Sequence, residues 1–329
     1  MRIVGTSPWR ARWSNNRGAV RLALKVDVDT LRGTREGVPN LIDLFRKHGV
    51  VATFLFSMGP DHTGRAIKRV FRRGFMDKVQ RTSVVKHYGM RTLLYGTLLP
   101  GPDIGRRAGD VMRAVRDTGH ETGIHCYDHV RWQDGVADAD FAWTERQMTL
   151  ACERYTDIFK EPPRMHGAAG WQMNVHALRL TQRLGFDYCS DGRGRCPHLP
   201  VWRAELIRCA QFPTTLPTLD ELIGTEDITE DNVAARVLQA TASPSAVDHI
   251  FTLHAELEGM LLAPVLDELL TGWAAQGWTL GPVREQYEGV EPMALPRCEV
   301  APGTIPGRTG TLLTQGVEFL VDPDLAQAA

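Results

Sequence analysis

The sequence predicts an α/β fold built on a parallel sheet, because strand-like and helix-like segments alternate along most of the chain. The run AVRLALKVDVD (19–29) is apolar and rich in strand-forming residues, and a helical segment follows at 37–49, with Pro39 suited to its first turn. VVATFLFS (50–57) is almost continuously apolar, as expected of a strand that is buried on both faces. The alternation resumes at residue 104 and predicts either a barrel or a doubly wound sheet.

The later part of the chain continues this pattern up to about residue 282. We predict helices at 104–118, 138–159, 173–184, 229–241 and 262–275, and strands at 121–125, 164–168, 186–191, 249–255 and 278–282. Residues 1–18 are predicted to form a flexible extension, and the segment 283–329, rich in Gly and Pro, an irregular tail. The remaining 19–282 would then form one folded unit, since a barrel of this kind commonly uses more than about 200 residues.

Composition excludes several classes of protein. The net charge of −1 gives no signature of a polyanion-binding chain. None of the six cysteines forms a C-x-x-C pair, which argues against a thiolate zinc site and favours a reducing compartment. The chain has no apolar run of 18 residues and no secretory signal at its amino terminus, so we expect no membrane span and a cytoplasmic location.

Two aspartates end the first predicted strand. Asp27 and Asp29 are two residues apart and therefore point to the same face of that strand. Neighbouring carboxylates repel unless a cation or a proton lies between them, so one could bind a metal while the other handles a proton. The alternative is an aspartate that caps a turn or a helix at the end of the strand.

Histidines at the ends of two later strands could complete such a site. His125 and His129 are four residues apart, close enough for both imidazoles to bind one cation, although they could equally be hydrogen-bonded histidines without a ligand. His254 ends the apolar strand HIFTLHA, where it could be a general acid or an ordinary histidine at the rim. In a parallel barrel the ends of these strands, and Asp191 after another, meet at one face.

Taken together, D-x-D, H-x-x-x-H and L-x-H in this order resemble the polysaccharide deacetylase (NodB-homology) superfamily. The chain is most similar to the 4-deoxy-4-formamido-L-arabinose-phosphoundecaprenol deformylases within it. The matching blocks include VDVDTLRGTREGVPNLIDLF (26–45), FSMGPDHTGR (56–65), GIHCYDHVRWQ (123–133), YCSDGRG (188–194), PTTLPTLDELIG (213–224) and TLHAELEG (252–259). This resemblance covers most of the chain and implies a distorted (β/α) barrel of the NodB-homology type.

The resemblance also implies the roles of five residues. Asp29, His125 and His129 match the ligands of one divalent metal, for which zinc suits the ligand types best and manganese, cobalt or nickel are also compatible. Asp27 matches the catalytic base, and His254 matches the acid that protonates the leaving amine. The implied activity is hydrolysis of a linear amide bond by water that the metal activates.

One departure from the superfamily concerns the residue that orients the base. Many relatives carry an Arg-x-Pro motif on the strand that here reads RMHGAAGW (164–171), and this chain lacks it. Arg164 or Arg193 could substitute for that arginine. Asp191 could orient a catalytic or substrate group, or could simply be a turn aspartate before Gly192, and Trp171 could line a small pocket for the formyl group.

In the sequence pattern, a basic and apolar segment, 60–103, is inserted after the second strand. Arg65, Lys68, Arg69, Arg72 and Arg73 lie here among aliphatic and aromatic residues. Segments of this composition bind anionic membrane surfaces, and the interleaved aliphatic residues favour lipid over nucleic acid. The alternative is a solvated helix that packs its apolar side on the barrel.

The resemblance therefore implies a deformylase of a lipid-linked amino sugar at the inner face of the inner membrane. Such an enzyme would serve the aminoarabinose modification of lipid A and resistance to cationic antimicrobial peptides such as polymyxin. Two alternatives remain. One is an N-deacetylase of peptidoglycan or chitin-like oligomers, which the missing export signal disfavours. The other is a non-catalytic barrel that only binds glycans or lipids, which the retention of both aspartates and all three histidines disfavours.

Overall fold

A computed structural model describes residues 21–70, 89–242 and 248–320, with the side chains of 67–70 excepted. The flexible extension predicted at 1–18 lies outside these residues. The strands are β1 (Arg21–Val28), β2 (Thr53–Ser57), β3 (Glu121–Cys126), β4 (Met165–His166), β5 (Tyr188–Cys189), β6 (Leu199–Trp202), β7 (Glu205–Leu206), β8 (Ala210–Gln211), β9 (His249–His254), β10 (Thr279–Gly281), β11 (Arg297–Gly303) and β12 (Leu312–Glu318).

The central sheet is parallel and curls into a distorted barrel, which confirms the predicted fold class. Its strand order is β10-β1-β2-β3-β4-β5-β8. In addition, β9 pairs with β1 along Leu22–Asp27, on the edge of β1 opposite to β2 and β10. Beyond β8 the backbone amides of Thr215 and Leu216 donate to the carbonyl of Ile250 in β9, at 3.1 and 3.3 Å, which brings the two ends of the sheet together. Three consecutive strands of this path, β4, β5 and β8, have two residues each, so one side of the barrel is irregular.

Helices cover the outside of the barrel. They are α1 (Val38–His48), α2 (Thr63–Val70), α3 (Ile104–Asp117), α4 (His129–Gly135), α5 (Phe141–Phe159), α6 (Val175–Arg183), α7 (Leu219–Leu222), α8 (Val233–Ala240), α9 (Ala263–Ala275) and α10 (Val283–Glu288). A π-helical turn (Gly33–Gly37) leads into α1. The helices predicted between strands are all present and differ from their predicted bounds only near their ends.

Side-chain alternation along β1 decides which residues reach the barrel interior. Leu22, Leu24, Val26 and Val28 pack into the large core between the sheet and the helices. Ala23 faces the opposite way, into a second apolar cluster that fills the lower part of the barrel. By the same alternation Lys25 and Asp27 point into the barrel, above that cluster and towards the end where the strands finish.

The prediction of an irregular tail from residue 283 was wrong. After α10, the strands β11 and β12 form an antiparallel pair, and β11 adds in parallel to β6 in a second sheet of order β12-β11-β6-β7. Cys298 and Val300 are buried while Glu299 between them is exposed, the pattern of a half-covered strand. One of the two strands that pair with β11, β6, lies about a hundred residues earlier in the chain, so local composition alone did not predict this sheet.

The basic amphipathic insertion is not confirmed as a structural unit. Within 60–103 the described residues form α2 and a short 3-10 turn (Thr92–Leu94), and Arg72 and Arg73 lie outside the described residues. Arg65 is exposed and its Nε donates to the carbonyl of Gly96 at 3.0 Å. Among the helices of the described residues, none combines the length and the apolar character needed to cross a membrane.

A buried histidine predicts how acid affects stability. Burial lowers the pKa of His198 to about 4, whereas the unfolded value is about 6.5. The folded protein therefore keeps this ring neutral between these values while the unfolded chain binds a proton, so its contribution to stability is complete above about pH 6.5 and is lost as the pH falls towards about 4. We expect the stability advantage of wild type over His198→Asn to shrink from pH 7.5 to pH 4.5 by up to about 3 kcal/mol.

Urea denaturation of the two proteins across this range measures that advantage at each pH. The difference between the free energies of unfolding of wild type and His198→Asn is used at each pH. This difference cancels the contributions of other buried groups, such as Glu256 and Glu258, because these groups are present in both proteins. An advantage that stays constant with pH would show that His198 is not held neutral in the folded state.

Candidate active site

Four predicted site residues converge at the carboxyl ends of three strands of the barrel, β9, β1 and β3. Asp27 in β1 is in register with His254, the last residue of β9. Asp29 follows β1 directly, and His125 lies near the end of β3, two strands away in the sheet. Because all the strands are parallel, these side chains reach the same mouth of the barrel.

Asp29, His125 and His129 form a compact group of nitrogen and oxygen atoms. Asp29 Oδ1 lies 3.3 Å from His125 Nε2 and 3.4 Å from His129 Nε2. Ligand atoms bound tetrahedrally at about 2.0–2.1 Å from a zinc ion lie roughly 3.3–3.4 Å apart. The three residues therefore have the spacing and the chemistry to hold one divalent ion, with at least one further coordination position left for another ligand.

The surroundings orient the two histidines, and within the described residues they leave one oxygen of Asp29 without a hydrogen-bond partner. His125 Nδ1 donates to the carbonyl of Gly167 at 2.7 Å, which leaves the Nε2 lone pair directed towards Asp29. Asp128 caps α4 by accepting from the Arg131 amide at 3.1 Å, so that helix begins with His129 beside the site. In the described part of the chain Asp29 Oδ1 is buried without a hydrogen-bond donor, a position that a cation would satisfy.

Electrostatics in this group favour an ionised Asp29. Burial alone would raise the pKa of this carboxyl, but the positive charges of His129 and His125 outweigh that effect and lower it below its usual range. An ionised carboxylate beside two imidazoles is the protonation state that a metal ligand requires.

Asp27 lies beside the three residues but faces a different partner. Its Oδ2 is 3.4 Å from the Nζ of Lys25, and both side chains are almost fully buried. Its Oδ1 is 3.9 Å from His125 Nδ1 and accepts no hydrogen bond from any described residue. One oxygen of Asp27 is thus directed towards a buried ammonium, and the other is free beside the site. Sequence reasoning missed Lys25, although a lysine within the apolar run LALKV was a visible signal.

His254 sits among carboxylates. Burial would favour its neutral form, but the negative charges of Asp220, Asp29 and Glu258 raise the pKa of His254 to about 9. These carboxylates therefore favour the protonated imidazole, the form that a proton donor requires.

Two glutamates just after His254 support the site and were also missed. Glu256 Oε1 accepts hydrogen bonds from the backbone amides of Asp29 and Thr30, at 3.1 and 2.8 Å, and so holds the turn that presents Asp29. A side chain at Gly33 would collide with Glu256, since a Cβ atom there would lie 1.9 Å from Oε1. Glu258 accepts from the His254 amide at 2.8 Å. Their position directly after a strand-end histidine, in HAELE, was the available signal.

Asp191 orients a neighbouring backbone segment. It is fully buried and accepts hydrogen bonds from His166 Nδ1 at 2.6 Å, from the Ala168 amide at 3.0 Å and from Gln211 Nε2 at 2.8 Å. Ala168 follows Gly167, whose carbonyl fixes the ring of His125. His166, Cys189 and Asp191 also lie close enough together for a metal, but burial raises the pKa of the Cys189 thiol well above its usual value, which opposes a thiolate ligand.

Trp171 and Arg193 join the second sheet to the barrel. The Trp171 ring is buried, and the guanidinium groups of Arg193 and Arg308 lie 5.0 and 4.5 Å from its centre. Arg193 Nη1 also donates to the buried carboxylate of Glu221 at 2.6 Å. Arg308 comes from the connection between β11 and β12, so the C-terminal strands bring a cation close to Trp171.

Arg164 is not brought to the site, which corrects its selection as a residue that orients the base. It precedes β4 and therefore lies at the amino end of that strand, opposite to the end where the catalytic candidates meet. Its side chain is 76% exposed and pairs with Asp187 at 3.2 Å.

Comparison with known proteins identifies close relatives. No protein-family model matches the chain. A protein of Shewanella sediminis described as a probable 4-deoxy-4-formamido-L-arabinose-phosphoundecaprenol deformylase is 34% identical over 301 residues, which cover 92% of this chain and 96% of that protein. A protein of Wigglesworthia glossinidia brevipalpis with the same description is 30% identical and covers 86% of this chain and 98% of its own.

Solved structures share the fold. The crystal structure of a putative polysaccharide deacetylase from Mycobacterium smegmatis superimposes with a TM-score of 0.61 at 17% identity and covers 93% of this chain and 99% of its own. The chitin deacetylase of Colletotrichum lindemuthianum gives a TM-score of 0.51 at 16% identity, over 84% of this chain and 91% of that one. At such low identity these similarities establish the shared barrel architecture.

Proposed function

The chain belongs to the family of 4-deoxy-4-formamido-L-arabinose-phosphoundecaprenol deformylases, and we propose that it removes the formyl group from this lipid-linked sugar with the help of one divalent metal. As a member of this family it is a hydrolase of linear amide bonds. The observation that carries the proposal is the 3.3–3.4 Å spacing of Asp29, His125 and His129 beside a base and an acid in a family of named deformylases.

Asp29, His125 and His129 would hold the metal. When bound, a divalent ion would polarise the amide carbonyl and would lower the pKa of water towards about 7. Two imidazoles and one carboxylate suit zinc best, and the same atoms also accept manganese, cobalt or nickel.

Asp27 acts as the general base. Its free Oδ1, buried beside the metal-binding residues, receives the proton of the water that attacks the formyl carbon. Burial of this oxygen supports the role, because a carboxylate that is shielded from bulk water is less solvated and transfers protons within the site.

His254 acts as the general acid. Its proton passes to the sugar nitrogen as the C–N bond breaks, so the products are formate and the free amine. The neighbouring Asp220 and Glu258 support this role, because their negative charges favour the protonated imidazole before the reaction.

Binding of the rest of the substrate involves a sugar phosphate and a polyprenyl chain. We assign the basic residues Arg65, Lys68, Arg69, Arg72 and Arg73 to contact with the phosphate or with an anionic membrane surface. We propose that the enzyme acts on the cytoplasmic face of the inner membrane, where it would serve the aminoarabinose modification of lipid A and polymyxin resistance. The support is the substrate name of the relatives together with the local charge of the segment.

Membrane contact predicts a charge-dependent association with lipid. Each cation near an anionic surface contributes about 1 kcal/mol, so glutamine at all five basic positions should lower binding to phosphatidylglycerol-containing vesicles more than tenfold. Co-sedimentation measures this binding. A control variant replaces five exposed arginines outside the segment, Arg203, Arg208, Arg236, Arg284 and Arg297. Equal losses of vesicle binding in both variants would mean that only net charge matters. Unchanged vesicle binding in the variant of the segment would show that the segment does not contact the membrane.

The function itself is tested by formate release from the lipid-linked formamido sugar. We expect purified protein reconstituted with zinc to release stoichiometric formate, and chelation followed by dialysis to abolish the release. The matched N-acetyl sugar and a chitin oligomer serve as competing substrates. Faster release of acetate than of formate would favour the N-deacetylase alternative, and hydrolysis of none of them would contradict an enzymatic function.

A further inference from the structure

Lys25 occupies an unusual position in the middle of the barrel. It lies in β1, in register with Thr53 of β2 and Thr252 of β9, and its side chain is fully buried. A buried lysine loses the hydration of its ammonium, which is unfavourable unless an anion compensates. Burial lowers the pKa of Lys25, while the negative charge of Asp27 opposes that effect.

The anion beside this ammonium is Asp27. The Nζ–Oδ2 distance is 3.4 Å, that of an ion pair, and within the described residues the ammonium has no hydrogen-bond partner. The ring of Trp171 lies 5.5 Å from the Nζ and forms one wall of its surroundings. Asp191 also attracts this charge from a greater distance, and Arg193 repels it.

Strand geometry explains why these two residues meet. Residues two apart in a strand point to the same face, so a lysine placed two residues before an aspartate extends along the strand towards it. The metal-binding residues lie on the other side of the carboxylate, with His125 Nδ1 3.9 Å from Oδ1. Asp27 is therefore held between an ammonium at Oδ2 and the candidate metal centre at Oδ1.

We propose that Lys25 is the positioning residue of the catalytic base: its ammonium fixes the Asp27 carboxylate through Oδ2 and leaves Oδ1 directed at the reacting water. The proposal rests on the proposed function, because it takes Asp27 as the base. The proposal gives the orienting task to a residue of the same strand as the base. Arg164 and Arg193, which were considered for this task from the sequence, pair with other carboxylates: Arg164 with Asp187, and Arg193 with Glu221.

Three variants test the proposal: Lys25→Met, which keeps the length but removes the charge, Lys25→Arg, which keeps the charge, and Lys25→Met combined with Asp27→Asn. Removing a group that orients a catalytic residue typically costs about 10–100-fold in activity. We expect Lys25→Met to lower kcat by about that factor with KM within about twofold of wild type and with metal content unchanged. Lys25→Arg should recover most of kcat.

The double variant separates positioning from packing. If Lys25 acts through Asp27, adding Lys25→Met to Asp27→Asn lowers kcat no further, whereas independent roles give multiplied losses. A full multiplied loss, or wild-type kcat in Lys25→Met, would overturn the proposal. Failure of Lys25→Arg to recover more kcat than Lys25→Met would overturn it as well.

A second measurement does not depend on activity. Urea midpoints of wild type, Lys25→Met, Asp27→Asn and the double variant form a cycle that reports the coupling of Lys25 with Asp27. We expect the two substitutions to be non-additive. If wild type released no formate, the proposed function would fail while this coupling would still be measurable. Additive midpoints would show that the ammonium does not hold the carboxylate, whatever the reaction is.

Discussion

Replacing His125 by alanine should abolish retention of a stoichiometric divalent metal and lower formate release by about a thousandfold or more. A bound ion supplies several kcal/mol of transition-state stabilisation, and each 1.4 kcal/mol corresponds to about a factor of ten in rate. His125 is buried, its Nδ1 is fixed by Gly167, and its Nε2 is 3.3 Å from Asp29. Two remaining ligands, one of them on a partly exposed helix start, would not retain the ion against dialysis.

Metal analysis after dialysis, followed by the formate assay, measures both effects. The matched control is His120→Asn, which removes a buried imidazole just before the opposite end of the same strand, β3. The Ala52 amide donates a hydrogen bond to His120 Nδ1 at 3.1 Å, and the side-chain oxygen of asparagine can accept the same hydrogen bond. The control should retain metal and activity. Full metal binding in His125→Ala would remove this histidine from the ligand set.

The second large effect is expected for Asp27→Asn. Asparagine keeps the shape of the side chain but cannot accept the proton of the attacking water. Loss of a general base typically lowers the rate by about 10²–10⁴-fold, and we expect kcat to fall within that range while the metal stays bound. Because the neighbouring Lys25 loses its anion, we also expect a lower urea midpoint.

Parallel measurements of kcat, metal content and urea midpoint test this prediction. Asp187→Asn is the matched control, because it makes the same chemical change at an aspartate that pairs with exposed Arg164 away from the barrel mouth. It should leave kcat unchanged. If Asp27→Asn lost the metal together with activity, Asp27 would be a ligand, and the assignment of a separate base would be wrong.

Several parts of the fold could be predicted because they depend on local pattern. The apolar runs of β1, β2 and β9 and the helices between them follow from periodicity that needs no knowledge of the partners. In a parallel barrel the carboxyl ends of the strands share one face, so Asp29, His125 and His254 could be brought together from their positions alone.

Other parts could not be predicted because the deciding interactions are long-range. The two-residue strand β8 is too short to leave a periodic signal, and β4 and β5 are shorter than the strands predicted at 164–168 and 186–191. The strand β11 depends on pairing with β6, and its Gly- and Pro-rich neighbourhood favours an irregular segment when the partner is ignored. Arg308 consequently reaches Trp171 from a segment that was predicted to be an irregular tail.

By itself the sequence determined the α/β class, the family and the set of chemical groups from which the candidate site is made. Only the tertiary structure decided how buried charges are paired: Lys25 with Asp27, Glu256 with the amide of Asp29, and Arg193 with Glu221 rather than with the base. The reason is physical. Whether a side chain is positive or negative is a property of the residue itself. Which opposite charge it pairs with depends on the side chains that distant strands bring into the same low-dielectric interior.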